Sequence, residues 1–120
     1  MKSYTDIEQS KKLAEFLSLE SADAFYVIGD EPVDIAVIYG FVTYKHLKEQ
    51  VAYKRAVPCW SLAALLEVLP DRTCVYKKTY KNGLVKYQGV MEGNKELLLK
   101  DNPVDACYDM ILKLHEQNLL

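Results

Sequence analysis

Apolar residues recur at two periods along this chain, and the period changes mark its elements. Ile7, Leu13, Phe16 and Leu17 fall at helical intervals, with Gln9, Ser10, Lys11, Lys12 and Glu15 left for solvent. Thr5 followed by Glu8 has the reciprocal spacing of a capping box, so the helix is expected to start there. Phe25–Ile28 reads as a strand, Gly29-Asp30-Glu31-Pro32 as a turn and Val33–Tyr39 as a second strand, ended or bulged by Gly40. Residues 42–57 fit a short helix lined by Tyr44, His46, Leu47 and Val51, a loop, or a continued strand equally well. From Pro58 to Pro70 the only charge is Glu67, and the Ala and Leu content predicts a central helix buried on all sides. Pro58 suits its start and Pro70 its stop.

Thr73 to Met91 alternates more strictly, around Lys81-Asn82-Gly83-Leu84, the strongest short hairpin signal in the chain. A two-residue turn pairs Tyr80 with Val85, Lys78 with Tyr87, Tyr76 with Gly89 and Cys74 with Met91. One face then holds Cys74, Tyr76, Tyr80, Val85, Tyr87 and Met91, with Lys78 as the exception. The other, mostly polar, holds Val75, Lys77, Thr79, Leu84, Lys86, Gln88 and Val90, as in a sheet packed on one side and wet on the other. Glu96–Leu99 is read as a further strand. Asn102 as N-cap, Pro103 at the first position and Asp105 in the first turn open a last helix. Val104, Cys107, Ile111 and Leu114 form its stripe, widened by Tyr108 and Met110. With no Pro-, Gly- or Ser-rich linker and no repeat, the 120 residues are expected to form one α+β domain. That domain would hold an antiparallel sheet of about four to five strands and three helices, N-terminal, central buried and C-terminal. Its expected core is Leu13, Leu17, Trp60, Leu62, Leu65, Leu66, Leu69, Ile111 and Leu114.

Composition adds compartment and charge layout. Cys59, Cys74 and Cys107 are odd in number, form no C-x-x-C and lie in apolar segments, which implies reduced, buried thiols and a cytoplasmic setting. The start is polar, and the longest apolar run, Leu62–Leu66, is far too short for a bilayer, so neither secretion nor a membrane is expected. The net charge of −2 conceals a strong segregation: residues 1–34 carry −5, residues 35–91 carry +6 and residues 92–120 carry −3.

Three segments together resemble a family of small proteins from Bacteroides-type gut bacteria and their phages or prophages. They are Asp6–Glu15 with Glu20–Asp23, then Pro58–Leu66, then Asp101–Cys107 with Ile111–Glu116, about a third of the chain. The family has no assigned activity, so the resemblance implies a bacterial cytoplasm and a mobile-element origin but no catalytic residue.

The chain holds no phosphate-binding glycine loop, dinucleotide fingerprint or nucleophile elbow. His46 and His115 are in no metal spacing, and no catalytic, cofactor-binding or metal-binding residue is assigned. Cys59, with His46 as base, would be the nucleophile of an enzyme, although apolar neighbours oppose a thiolate. The basic middle interleaves lysines with tyrosines, the general recipe for single-stranded nucleic acid, but the expected pairing separates the tyrosines from Lys77, Lys81 and Lys86. Opposite charges in the middle and at the ends equally suit a protein partner or a second copy. The expectation is a small non-enzymatic binding protein without cofactor, for a protein partner or itself. Nucleic-acid binding comes second and a Cys59 enzyme third. The candidate interaction surface is Tyr44, Lys54, Arg55, Lys77, Lys81 and Lys86.

Overall fold

The computed structural model describes residues 2–27, 37–39, 56–91 and 95–120. The chain is α+β, with six described strands in two antiparallel sheets of three. The sequence pattern leads instead to one sheet of four to five strands. The chain also divides into two compact units, Tyr4–Ala64 and Met1–Ser3 with Leu65–Leu120, each holding one sheet.

In the unit Tyr4–Ala64, β1 (Ala24–Val27) lies between β2 (Val37–Tyr39) and β3 (Ala56–Cys59). The stretch expected to begin the central helix is therefore a strand, with Pro58 opposite Phe25. Proline lacks the N–H that an inner strand must donate, and β3 is an edge strand of this sheet. The paired positions Ala24–Cys59 and Tyr26–Val57 form a core to which Tyr4 and Ile7 add. Helix α1 (Ile7–Ala14) packs against β3. Its cap is one residue later than expected. Asp6 accepts from the Gln9 N–H at 2.8 Å, and the Gln9 side chain accepts from the Asp6 N–H at 3.1 Å. Thr5 is fully buried and committed elsewhere: its N–H donates to the Trp60 carbonyl, and its Oγ1 accepts from the Trp60 N–H and meets Ser10 Oγ at 2.7 Å. The Tyr26 hydroxyl donates to the Thr5 carbonyl at 2.5 Å. This knot ties the approach to α1 to the end of β3.

The chain passes from one unit to the other within α2 (Leu62–Val68). Ser61 begins it by accepting from the Ala64 N–H. Ala64 and Leu65 are buried, but Ala63 and Glu67 are exposed and Leu66 is 48% exposed. The expectation of a helix buried all round fails here: seven residues make only two turns, and one side of them faces water. Of the expected core, Leu13, Trp60, Leu65, Ile111 and Leu114 are buried, while Leu17, Leu62 and Leu69 are half-buried.

In the second unit, β4 (Cys74–Thr79) pairs with β5 (Val85–Met91), which pairs with β6 (Lys95–Glu96). Helix α3 (Pro103–Glu116) packs on this sheet. Its start is as expected: Asn102 Oδ1 accepts from the Asp105 N–H at 2.9 Å, with Pro103 in the first turn. Met110 and Leu114 pack with Met91, Val75, Leu97 and Leu69. Gly89 permits the close approach, since a Cβ there would lie 3.3 Å from the end of the Met110 side chain. At the other end Asn118 has φ +57, its N–H donates to the His115 carbonyl, and the Leu119 N–H reaches back to the Leu114 carbonyl at 2.8 Å. That is a Schellman stop with asparagine in place of glycine.

Candidate functional site

The β4–β5 hairpin carries the described part of the expected interaction surface, and its register decides what that surface is. Gly83 has φ +86 and its N–H donates to the Tyr80 carbonyl, while the Tyr80 N–H donates to the Leu84 carbonyl. The loop is therefore three residues, Lys81-Asn82-Gly83, with only the glycine in the left-handed region. The expected two-residue turn is corrected, and every pair shifts by one: Thr79–Val85, Lys78–Lys86, Lys77–Tyr87, Tyr76–Gln88, Val75–Gly89, Cys74–Val90.

A shift of one residue on one strand exchanges its partners between faces. Val75, Lys77, Thr79, Val85, Tyr87, Gly89 and Met91 share the α3 side. Cys74, Tyr76, Lys78, Lys86, Gln88 and Val90 share the side turned away from α3, with Tyr80 and Leu84 continuing it at the tip. Lys86, expected on the opposite face, thus joins Tyr76 and Tyr80, beside which the sequence pattern already places Lys78. Lys78 Nζ lies 5.7 Å from the centre of the Tyr76 ring, and Tyr80 is 39% exposed.

Lys77, Lys81 and Lys86 do not form one surface. Lys77 lies towards the α3 side, Lys81 is at the tip and Lys86 is on the opposite face, ion-paired with Asp101. Lys77, Lys78 and Lys81 have no carboxylate partner among the described residues. Tyr44, Lys54 and Arg55 lie outside the described residues, as does His46.

The third strand brings a feature that composition did not signal. Met91 pairs with Lys95 and Val90 with Glu96, the Leu97 N–H donates to the Gly89 carbonyl, and Tyr87 exchanges two backbone bonds with Lys100. Leu98 and Leu99 therefore oppose the single residue Gln88, which is a β-bulge. Gln88 is buried; its Nε2 donates to the Leu97 carbonyl and its Oε1 accepts from the Tyr76 hydroxyl, both at 2.7 Å. The bulge leaves Leu98 72% exposed.

The other candidates have a different chemistry from the one expected of them. Cys59 is fully buried, and burial first, then the Asp23 carboxylate, pushes its thiol up to about 12. Almost no thiolate exists there at neutral pH, so its environment disarms it as a nucleophile. Burial alone pushes Cys107 up to about 12 as well. Cys74, expected to be buried, is exposed, because it stands at the start of β4 on the side away from α3. Asp23 accepts from both the N–H and the hydroxyl of Ser61, joining the start of β1 to the start of α2, and Trp60 Nε1 donates to Ser21 Oγ at 2.9 Å. Ser61 Oγ also accepts from the Ala64 N–H, so Ser61 acts as the cap of α2. Among the described residues no three metal-ligating side chains cluster, and no helix is long and apolar enough to cross a membrane. A pocket of about 170 Å³ lies between Pro70, Thr73, Met91, Leu114 and Leu119, at the end of α3. No family model, curated protein or solved structure matches the chain.

Proposed function

We propose that this is a non-enzymatic binding protein whose contact element is the β4–β5 hairpin. The surface it meets is acidic protein: a partner's, or the acid-rich ends of a second copy. One observation carries this reading. From Thr73 to Met91 the chain has four lysines and no acid, and three of the four have no carboxylate partner among the described residues. Exposed lysines of one sign steer association and are worth most against a surface of opposite charge. The resemblance of both chain ends and the Pro58–Leu66 segment to small phage and gut-bacterial proteins supports a bacterial cytoplasm as the setting.

Sedimentation velocity over a dilution series at low salt, alongside binding of a labelled poly-glutamate peptide, tests the reading. Self-association or peptide binding should weaken as salt rises and disappear in a Lys77→Glu/Lys81→Glu variant whose circular dichroism is unchanged. A protein that stays monomeric and leaves the peptide free at low salt overturns it.

A second reading has its own observation. Tyr76 and Tyr80 share a face with Lys78 and Lys86, which is the arrangement of stacking rings and phosphate contacts that single-stranded nucleic acid requires. Fluorescence anisotropy with random single-stranded oligonucleotides would show affinity falling steeply with salt. It would also fall on Tyr80→Ala, which a purely ionic contact would tolerate.

A further inference from the structure

The hairpin tip carries a reactive sequence of its own. The chain has asparagines at positions 82, 94, 102 and 118, followed by Gly83, Lys95, Pro103 and Leu119. Only Asn82 precedes a glycine, whose amide nitrogen no side chain shields. Both residues are exposed, and nothing lies within 4 Å of where a Gly83 Cβ would stand.

We propose that Asn82–Gly83 is a self-modification site at which the backbone converts Asn82 to an aspartyl or isoaspartyl residue, held back by the folded turn. The Gly83 amide nitrogen loses its proton and attacks Asn82 Cγ. The new C–N bond closes a five-membered imide as the side-chain nitrogen departs, with a proton, as ammonia. Water then opens the imide at either carbonyl, giving the α-linked or the β-linked acid; the sum is asparagine plus water to aspartate plus ammonia. Both reacting groups are engaged in the turn. The Gly83 N–H donates to the Tyr80 carbonyl at 2.9 Å, and Asn82 Oδ1 accepts from the Leu84 N–H at 3.0 Å. The attack must break the first bond and turn the carboxamide away from the second, so it waits on local opening of the hairpin.

The product puts a negative charge beside Lys81 in a hairpin that otherwise has no acid, and the β-linked form adds a backbone atom to a three-residue loop. The conversion would thus weaken the contact with an acidic surface. That consequence rests on the binding reading above, whereas the chemistry does not.

The test incubates the full chain at mildly alkaline pH, folded and in urea, and follows the tryptic peptide Asn82–Lys86 by mass. A gain of one mass unit should appear in that peptide, with methyltransferase-labelled isoaspartate, and about tenfold or more slowly in the folded chain. No gain in urea overturns the site, and equal rates in the two states overturn the protection. An Asn82→Asp variant checks the consequence: it should bind poly-glutamate more weakly than the parent, and equal binding overturns the regulatory step. If the parent itself does not bind poly-glutamate, the binding reading fails while the mass measurement still decides the chemistry.

Discussion

Gln88 shows how much one side chain can hold. It is a polar residue buried within a strand, and its amide spans from the Tyr76 hydroxyl on β4 to the Leu97 carbonyl beyond β6. That carbonyl lies next to the bulge, where the backbone ladder is interrupted, so the amide replaces a missing ladder bond. Gln88→Leu should cost about 1–3 kcal/mol in urea unfolding, because it leaves two half-buried partners, the Tyr76 hydroxyl and the Leu97 carbonyl, without their bonds. A loss within error of zero would mean that water serves them instead. The cysteines give a second residue-scale test. Cys59 and Cys107 are buried, with thiols pushed up to about 12, and Cys74 is exposed. One thiol should react rapidly with a thiol reagent in the native state and three after unfolding. Both facts about Gln88 and Cys74 were hidden in the sequence, because alternation alone does not say which of two adjacent residues faces the helix.

At the scale of elements, local chemistry was legible where it had no competitor. The α3 start followed from Asn102, Pro103 and Asp105, all within one turn of each other. The hairpin followed from Asn82-Gly83, but its register did not, since the same dipeptide serves two- and three-residue loops. The α1 cap moved from Thr5 to Asp6 because Thr5 is drawn into the Trp60 knot, a contact 55 residues away in sequence. The α2 helix shows the same override: its apolar composition predicts burial, yet Leu65 is fully buried and Leu66 is 48% exposed. Leu65→Ala should therefore cost about 2–5 kcal/mol, by lost burial and a residual cavity. Leu66→Ala should cost under about 1 kcal/mol. Denaturant unfolding of the two variants separates the cases, and equal losses would refute the orientation of the helix. At Gly83, where φ is +86, Gly83→Val should destabilise the hairpin, with amide exchange at Tyr80 and Leu84 as the reporter.

At the scale of the whole molecule, the buried thiols make stability depend on alkaline pH. A thiol held at about 12 in the folded chain stays protonated while its unfolded counterpart ionises from about 9. The raised value thus contributes stability that is complete below about pH 9 and lost as pH rises towards 12. The slope approaches about 1.4 kcal/mol per pH unit for each thiol. Urea midpoints across that window should fall, and the fall should be shallower in Cys59→Ala or Cys107→Ala when each is compared with its own value at neutral pH. The sequence alone determined the α+β class, the segregation of charge, the hairpin and the C-terminal helix, since each rests on neighbours within a few positions. Only the tertiary structure decided that the strands form two sheets, that Pro58 lies in an edge strand and that Lys86 joins the face of Tyr76, Lys78 and Tyr80. The first two depend on pairing between distant segments, and the third on the register of the hairpin, where a shift of one residue moves side chains to the opposite face at little local cost.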